Sequence, residues 1–477
     1  MNAATSVRLQ LRSSVRPGAV SELPPSVPLI GICMLLFFSV LSFGAVEGWS
    51  ISILEFGLGL VFLVWAARQT IAGHLKVESN PLYAPSVLFA GVVAIQLGFG
   101  LTAYRYATWV SAIEYLGYAI LLFVTIETLS DQRGAKILMW ALTLFGFALA
   151  VFAVIQDLTS NGKIYWLRTL HHGGAPFGPY VNHDHYAGLM EMLAPIVIVL
   201  SLSSFVTGGK RAMVALAGVL MAGSIVLCQS RAGTAAFLGE MILLPSLLWG
   251  RRRNGRIAAT LGGIGLMVLA FIAWVGTPAL WHHFTELQDW MRLALLKDGL
   301  RMFWHKPVLG WGLGTFTTVY PQFRSFYTNL FVNAAHNDYL QALVETGLVG
   351  FVAVVWFIVA MYRAGLRNVD GWNRNWSHLL GISALIGCTG LLIHSAFDFN
   401  LQIPGNACFF YFLCAVTTRT AALPVAGAPS SQEREGFRII SQPGVREKWA
   451  RDEPPQSSST PFTKLHFRKG EGKCRQR

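Results

Sequence analysis

His336 stands where a loop rich in aromatic and polar residues gives way to a long apolar run, in Ala335-His336-Asn337-Asp338-Tyr339-Leu340-Gln341. Asn337 or Asp338 makes a good helix N-cap, so the imidazole is expected at a helix start. There the dipole favours a neutral ring able to accept a proton. Asn337, Gln341 and Glu345 recur every four residues and share one helical face, which lipid would not tolerate at this depth. That stripe must meet protein or water. A lone histidine in a wet loop is more often an interfacial residue than a base, and it is the stripe behind His336 that turns the reading toward chemistry.

The cations come next. Gln229-Ser230-Arg231-Ala232-Gly233 joins two apolar runs with almost no loop, so Arg231 is held at the membrane boundary. There its guanidinium could snorkel to headgroups or grip a phosphate in its two-pronged fork. Arg292 and Arg301 lie nine residues apart in a segment with helical apolar spacing and would offer a diphosphate a pair of cations. The first long outer loop carries His171, His172 and Asn182, and its His183-Asp184-His185 looks like a metal site, but spacing of two on an uncertain backbone is weak evidence, and no metal is expected. His394 and Asp398 are one helical turn apart and are expected to pair.

The elements that hold these residues are membrane helices. Of 477 residues, 53% are hydrophobic and 13% charged, about half the charged share of an ordinary soluble domain. Apolar runs long enough to cross a bilayer fall near 28–46, 49–67, 83–103, 108–127, 135–155, 184–206, 212–229, 232–249, 257–276, 343–362, 377–397 and 404–420. This predicts an all-α, polytopic bundle of about 12 transmembrane helices. With the N-terminus inside, cytoplasmic segments hold 28 of the 37 Lys and Arg, including Arg251-Arg252-Arg253, and the other face holds nine. The positive-inside rule then sets the orientation. The first run follows Arg8, Arg12 and Arg16, as a signal peptide would, but it is long, starts far from Met1, and is read as a span.

Residues 1–27 and 421–477 are rich in Pro, Ser, Gly and charge and read as disordered cytoplasmic tails flanking a transmembrane domain at 28–420. Two long loops, 156–183 and 277–342, both face outward and are the first places to look for function. Arg231, Arg292, His336, His394 and Asp398 thereby fall on one face. The net charge of +13 sits mainly in short inner loops and the tail, which membrane topology and anionic headgroups explain without nucleic acid. None of the six cysteines lies in the long outer loops, so no disulfide framework or cysteine metal site is indicated.

His336-Asn337-Asp338-Tyr339-Leu340-Gln341-Ala342-Leu343-Val344-Glu345-Thr346-Gly347-Leu348-Val349-Gly350 resembles the signature of the O-antigen ligase and polymerase family of membrane glycosyltransferases. The run from His305 to Phe316, Ser230 to Gly233, Gly178 to Gly188 and His394 to Pro404 resemble its other motifs, in family order, so the likeness spans residues 150–415. The resemblance implies a GT-C-like bundle with a long periplasmic loop, in a multi-pass protein of the bacterial inner membrane. It implies transfer of a glycan from a polyprenyl (undecaprenyl) diphosphate to an acceptor hydroxyl, on lipid A-core or elsewhere. The reaction would run at the periplasmic face with inversion and without cofactor or metal. Carried over by motif, His336 would be the base, and Arg231 and Arg292 the cations on the diphosphate. Asn337, Gln341, Glu345, Asn182, His183, Arg301, His394 and Asp398 would line the substrate site. Polymerase and protein glycosyltransferase variants of that activity stay open. A transporter is the alternative of a different class, disfavoured because mid-membrane charge is limited to Glu55, Glu114, Glu191 and Glu240 and no inverted repeat is visible.

Overall fold

The computed structural model describes residues 7–10, 27–170, 174–248, 262, 265, 289–328 and 331–423. The chain runs through α1 (Val27–Leu41), α2 (Gly48–Ile71), α3 (Tyr83–Gly98), α4 (Arg105–Thr128), α5 (Gln132–Leu158), α6 (His183–Leu202), α7 (Gly208–Leu227) and α8 (Arg231–Leu248). It continues through α9 (Asp289–His305), the single turn α10 (Phe316–Val319), α11 (Asp338–Gly365), α12 (Trp376–His394) and α13 (Pro404–Thr420).

Side-chain caps start several of these helices. The Asp131 carboxylate accepts from Gly134 N–H, the Asn182 amide oxygen from Asp184 N–H, the Asn337 oxygen from Leu340 N–H and the Asn375 oxygen from His378 N–H. Each answers an amide that the first helical turn leaves without a partner.

Among the described residues, eight helices are long and apolar enough to cross a membrane: α2, α4, α5, α6, α7, α8, α11 and α12. Twelve were expected. Helices α1, α3 and α13 occupy three of the other expected places but have only 15, 16 and 17 residues, short of the roughly 20 that a straight span needs. The run at 257–276 lies outside the described residues.

α6 and α12 are almost wholly buried and form the centre of the bundle, α6 packing on α7 and α12, and α12 on α13. Gly387 lets α12 approach the α6 backbone at Met192, where a Cβ would not fit. The peripheral helices instead expose large apolar side chains such as Phe56, Leu63, Leu144, Met213 and Ile242, as lipid-facing surfaces do.

Two further features complete the fold. Val7–Gln10 (β1) pairs antiparallel with His74–Val77 (β2), a short ribbon beside an otherwise helical fold. The loop at 277–342 carries α9, where apolar residues recur at helical spacing, and α10, with a small apolar core of its own. Leu295, Met302, Phe316 and Tyr320 pack there with Leu340 and Val344 of α11, and Gly299 leaves room for Leu340.

Candidate active site

The start of α11 is sewn to the turn between α12 and α13. Asp338 N–H donates to Ser395 C=O at 2.9 Å, and the Asn337 amide donates to Ala396 C=O at 2.8 Å. The Asp338 carboxylate accepts from Leu401 N–H at 3.0 Å. This stitching sets His336 Nδ1 3.0 Å from Asp398 Oδ1. The ring also meets Phe399 edge-on, with centroids 4.8 Å apart. His336 has φ +48, a left-handed conformation that a histidine adopts only where its surroundings hold it. Asp398 is buried, whereas about a third of the His336 side chain (32%) is open.

His394 and Asp398 therefore do not form the simple pair expected from their spacing. His394 Nδ1 meets Glu191 Oε1 of α6 at 2.9 Å, both side chains fully buried, while Asp398 is committed to His336. The helical turn itself persists, with Asp398 N–H donating to His394 C=O at 3.1 Å, but each side chain finds a partner on another element. Burial would push the Asp398 carboxyl up. The His336 hydrogen bond and the imidazoles of His185, His336 and His394 outweigh it and hold that carboxyl well below the usual carboxylate range.

The helix starts of α6 and α8 close the other side. Ser230 Oγ donates to Asp184 Oδ1 at 2.6 Å, and His183 Nε2 lies 3.7 Å from the same oxygen. Arg231, half-buried, is the first residue of α8, directly after Ser230. Ligand-type atoms of Asp184, His394 and Asp398 lie within 4.8 Å of one another, a grouping that no sequence spacing revealed. Each also has a partner elsewhere, Ser230, Glu191 and His336 respectively, while Nε2 of His394 and Oδ2 of Asp398 are buried without a hydrogen-bond partner. Asn182 caps α6 as described and His183 flanks Asp184. His171 and His172 lie outside the described residues.

The polar stripe behind His336 faces protein, as expected, but its groups are engaged with backbone. Glu345 accepts from Gly314 N–H at 2.9 Å through Oε2 and from Phe316 N–H at 3.1 Å through Oε1. Gln341 accepts from Ala335 N–H and donates to Glu345. The apparent continuity of α11 conceals a break at Gly347 (φ +64, ψ −170), and the run Pro307–Gly312 is laid into it. Trp311 N–H donates to Val344 C=O, Gly312 N–H to Glu345 C=O, Leu348 N–H to Pro307 C=O and Val349 N–H to Val308 C=O. The Gln96 amide of α3 completes the clamp on Leu309 C=O and Glu345 C=O. Gly310 and Gly347 face each other so closely that a Cβ on either would fall on opposing backbone. Neither Gln96 nor the helix break was foreseen. The only hint was the glycine spacing in the two motifs.

Arg292 and Arg301 both belong to α9. Nine residues are two and a half helical turns, so they sit on opposite sides of the helix and do not present a joint cation pair, which corrects the expectation. Arg301 is 3.8 Å from buried Asp298, whose Oδ2 accepts from Tyr320 O–H and from the Ser325 amide and hydroxyl. Arg292 is exposed.

A groove of about 550 Å³ runs between α3, α4, α11 and α13, lined chiefly by apolar side chains such as Phe89, Val93, Leu116, Phe357 and Phe410. Arg105 lies at one end, and Asp338, Leu401 and Gln402, neighbours of the His336–Asp398 pair, also line it.

No curated protein matches the chain. Residues 216–355 match the family model described as O-antigen ligase, a narrower stretch than the motifs span; it takes in Arg231, Arg292, the clamp and His336 and leaves Asp184, Glu191, His394 and Asp398 outside. The chain thus has, among its described residues, eight helices long and apolar enough to cross a membrane, and over residues 216–355 it is similar to the O-antigen ligase family.

Proposed function

We propose that the protein moves a glycan from a polyprenyl diphosphate carrier to an acceptor hydroxyl at the periplasmic face of a bacterial inner membrane, with His336 as general base. The observation that carries this reading is the His336–Asp398 pair, a part-open imidazole backed by a buried carboxylate. Asp398 accepts the Nδ1–H, which fixes the tautomer whose Nε2 lone pair is free to take a proton. The acceptor oxygen, losing its proton to Nε2, attacks the anomeric carbon as the carbon–oxygen bond to the diphosphate breaks on the opposite side. The product is inverted and the carrier diphosphate leaves as an anion.

Arg231 and Arg292 neutralise that anion as it forms, so the step needs neither cofactor nor metal. Arg301, committed toward Asp298, supports the loop. Gln341, Glu345, Asn337 and Asn182 act as positioning residues, since their polar atoms are spent on the backbone that carries the site. The apolar groove between α3, α4, α11 and α13 offers a path for a hydrocarbon chain, which favours a lipid-linked donor.

The test is transfer by purified protein in liposomes, with a synthetic polyprenyl diphosphate glycan and a matched hydroxyl acceptor. His336→Ala should cut turnover by about 10²- to 10⁴-fold, the range of acid-base catalysis, while carrier binding persists. Transfer at the wild-type rate would end the general-base role.

A further inference from the structure

Beyond the His336–Asp398 pair lies a second ionisable pair that the reaction as written does not use. Glu191 of α6 and His394 of α12 are both fully buried, 2.9 Å apart, in two almost wholly enclosed helices of the bundle. A charged pair in such a place is costly to desolvate and, in membrane helices, tends to mark function. Both residues lie outside the O-antigen ligase match.

The pair abuts the site. A ring nitrogen of His394 and carboxylate oxygens of Asp398 and Asp184 lie within 4.8 Å of one another, and Asp398 holds His336 at 3.0 Å. Carboxylate and imidazole thus alternate along Glu191, His394, Asp398 and His336, from the buried interior to the open ring. The other ionisable groups facing this line are Asp184 and His185 from α6, and Glu240 deeper on α8, against Gly390 of α12.

Position gives the line a purpose. Asp398 can orient the His336 ring only while its own carboxylate is held, and its Oδ2, like Nε2 of His394, is buried without a hydrogen-bond partner. The His394 ring, anchored by Glu191, walls that side of Asp398. We propose that Glu191 and His394 are positioning residues, a buried pair that fixes the surroundings of the Asp398 carboxylate and so the orientation of His336. This rests on the reading of His336 as the base.

The experiment compares wild type, His336→Ala, Glu191→Gln, His394→Gln and the double variant E191Q/H394Q in liposomes, measuring fold, donor KM, kcat and the pH profile of transfer. Each single variant strands a buried charge and should give little folded protein. The double variant removes both charges with little change of shape and should fold. Its kcat should nonetheless fall at least about 10-fold with donor KM unchanged. The pH profile of its transfer should also move, because the surroundings of the Asp398–His336 pair have changed.

Wild-type kcat and an unmoved pH profile in the double variant would make the pair structural and overturn the proposal. Full activity in His336→Ala would instead remove the base, an outcome visible separately. Loss of wild-type transfer on chelation, restored by a divalent ion, would recast Asp184, His394 and Asp398 as a cation site and equally overturn it. Should the double variant not fold, Glu191→Asp decides. A positioning role predicts a lower kcat per folded molecule and a shifted pH profile; a structural role predicts activity that tracks folded fraction alone.

Discussion

At the scale of residues, the carboxylate behind His336 decides most of what can be measured. Asp398→Asn keeps the shape but can present an N–H to Nδ1, which favours the tautomer with its proton on the wrong nitrogen. Turnover should fall by about 10²-fold or more with little change in donor KM, as a steady-state comparison will show. Because the folded Asp398 carboxyl lies below the usual carboxylate range, its stabilising contribution is complete above the unfolded value of about 4 and is lost only as pH falls through the lower folded value. An acid limb between about pH 5 and 8 therefore does not come from Asp398, and thermal unfolding of wild type and Asp398→Asn should converge only in strong acid. Among the arginines, Arg231→Lys should rescue donor affinity only in part. Arg292→Ala should raise donor KM, and Arg301→Ala should act mainly on loop stability; measured KM values and protease sensitivity separate the three. His336, Arg231 and the cap at Asn337 were legible in the sequence because each depends on local spacing. The Asp398 and Glu191 partnerships were not, since they join segments 62 and 203 residues apart.

Helix α11 and the strap in its break set the next scale. Glu345 holds two strap amides, and Gly347 and Gly310 allow the backbones to meet. Gly347→Ala should unseat residues 307–316, exposing them to limited proteolysis and reducing transfer even though no substrate contact is touched. Glu345→Gln should do so more mildly, losing the charge-assisted part of two hydrogen bonds worth about 1.5–3 kcal/mol each. Intact proteolytic resistance in both variants would count against the clamp. The four-residue polar period correctly required a non-lipid neighbour, but period alone does not say whether that neighbour is a ligand or the chain's own backbone. Here Gly347 interrupts the helix that the period assumed.

For the whole molecule, the start of α6, the start of α8, the start of α11 and the end of α12 meet at one end of the bundle. Reporter fusions should place residues 277–342 on the periplasmic side and both termini in the cytoplasm; a cytoplasmic signal from that loop would undo both the orientation and the chemistry proposed. Transfer should also persist in EDTA, because arginines rather than a cation would meet the diphosphate. Hydropathy located the helices well, since an apolar run is a local property. Among the described residues eight of the twelve runs reach spanning length, while α1, α3 and α13 are shorter than the apolar stretches around them.

The strap in the break of α11 is held almost entirely by main-chain groups, and that separates its seating from its side chains. Val308 and Leu309 give carbonyls to the clamp, so the register does not depend on what projects from them, whereas Trp311 is also fixed by its indole N–H, which donates to Met302 C=O. Natural sequence change at positions 308 and 309 could therefore retune what the outer surface touches without dislodging the scaffold, provided Gly310, Trp311 and Gly347 persist. The fold in effect contains an exchangeable segment plugged into a fixed socket, and transplanting a foreign strap of equal length should preserve folding while altering substrate preference.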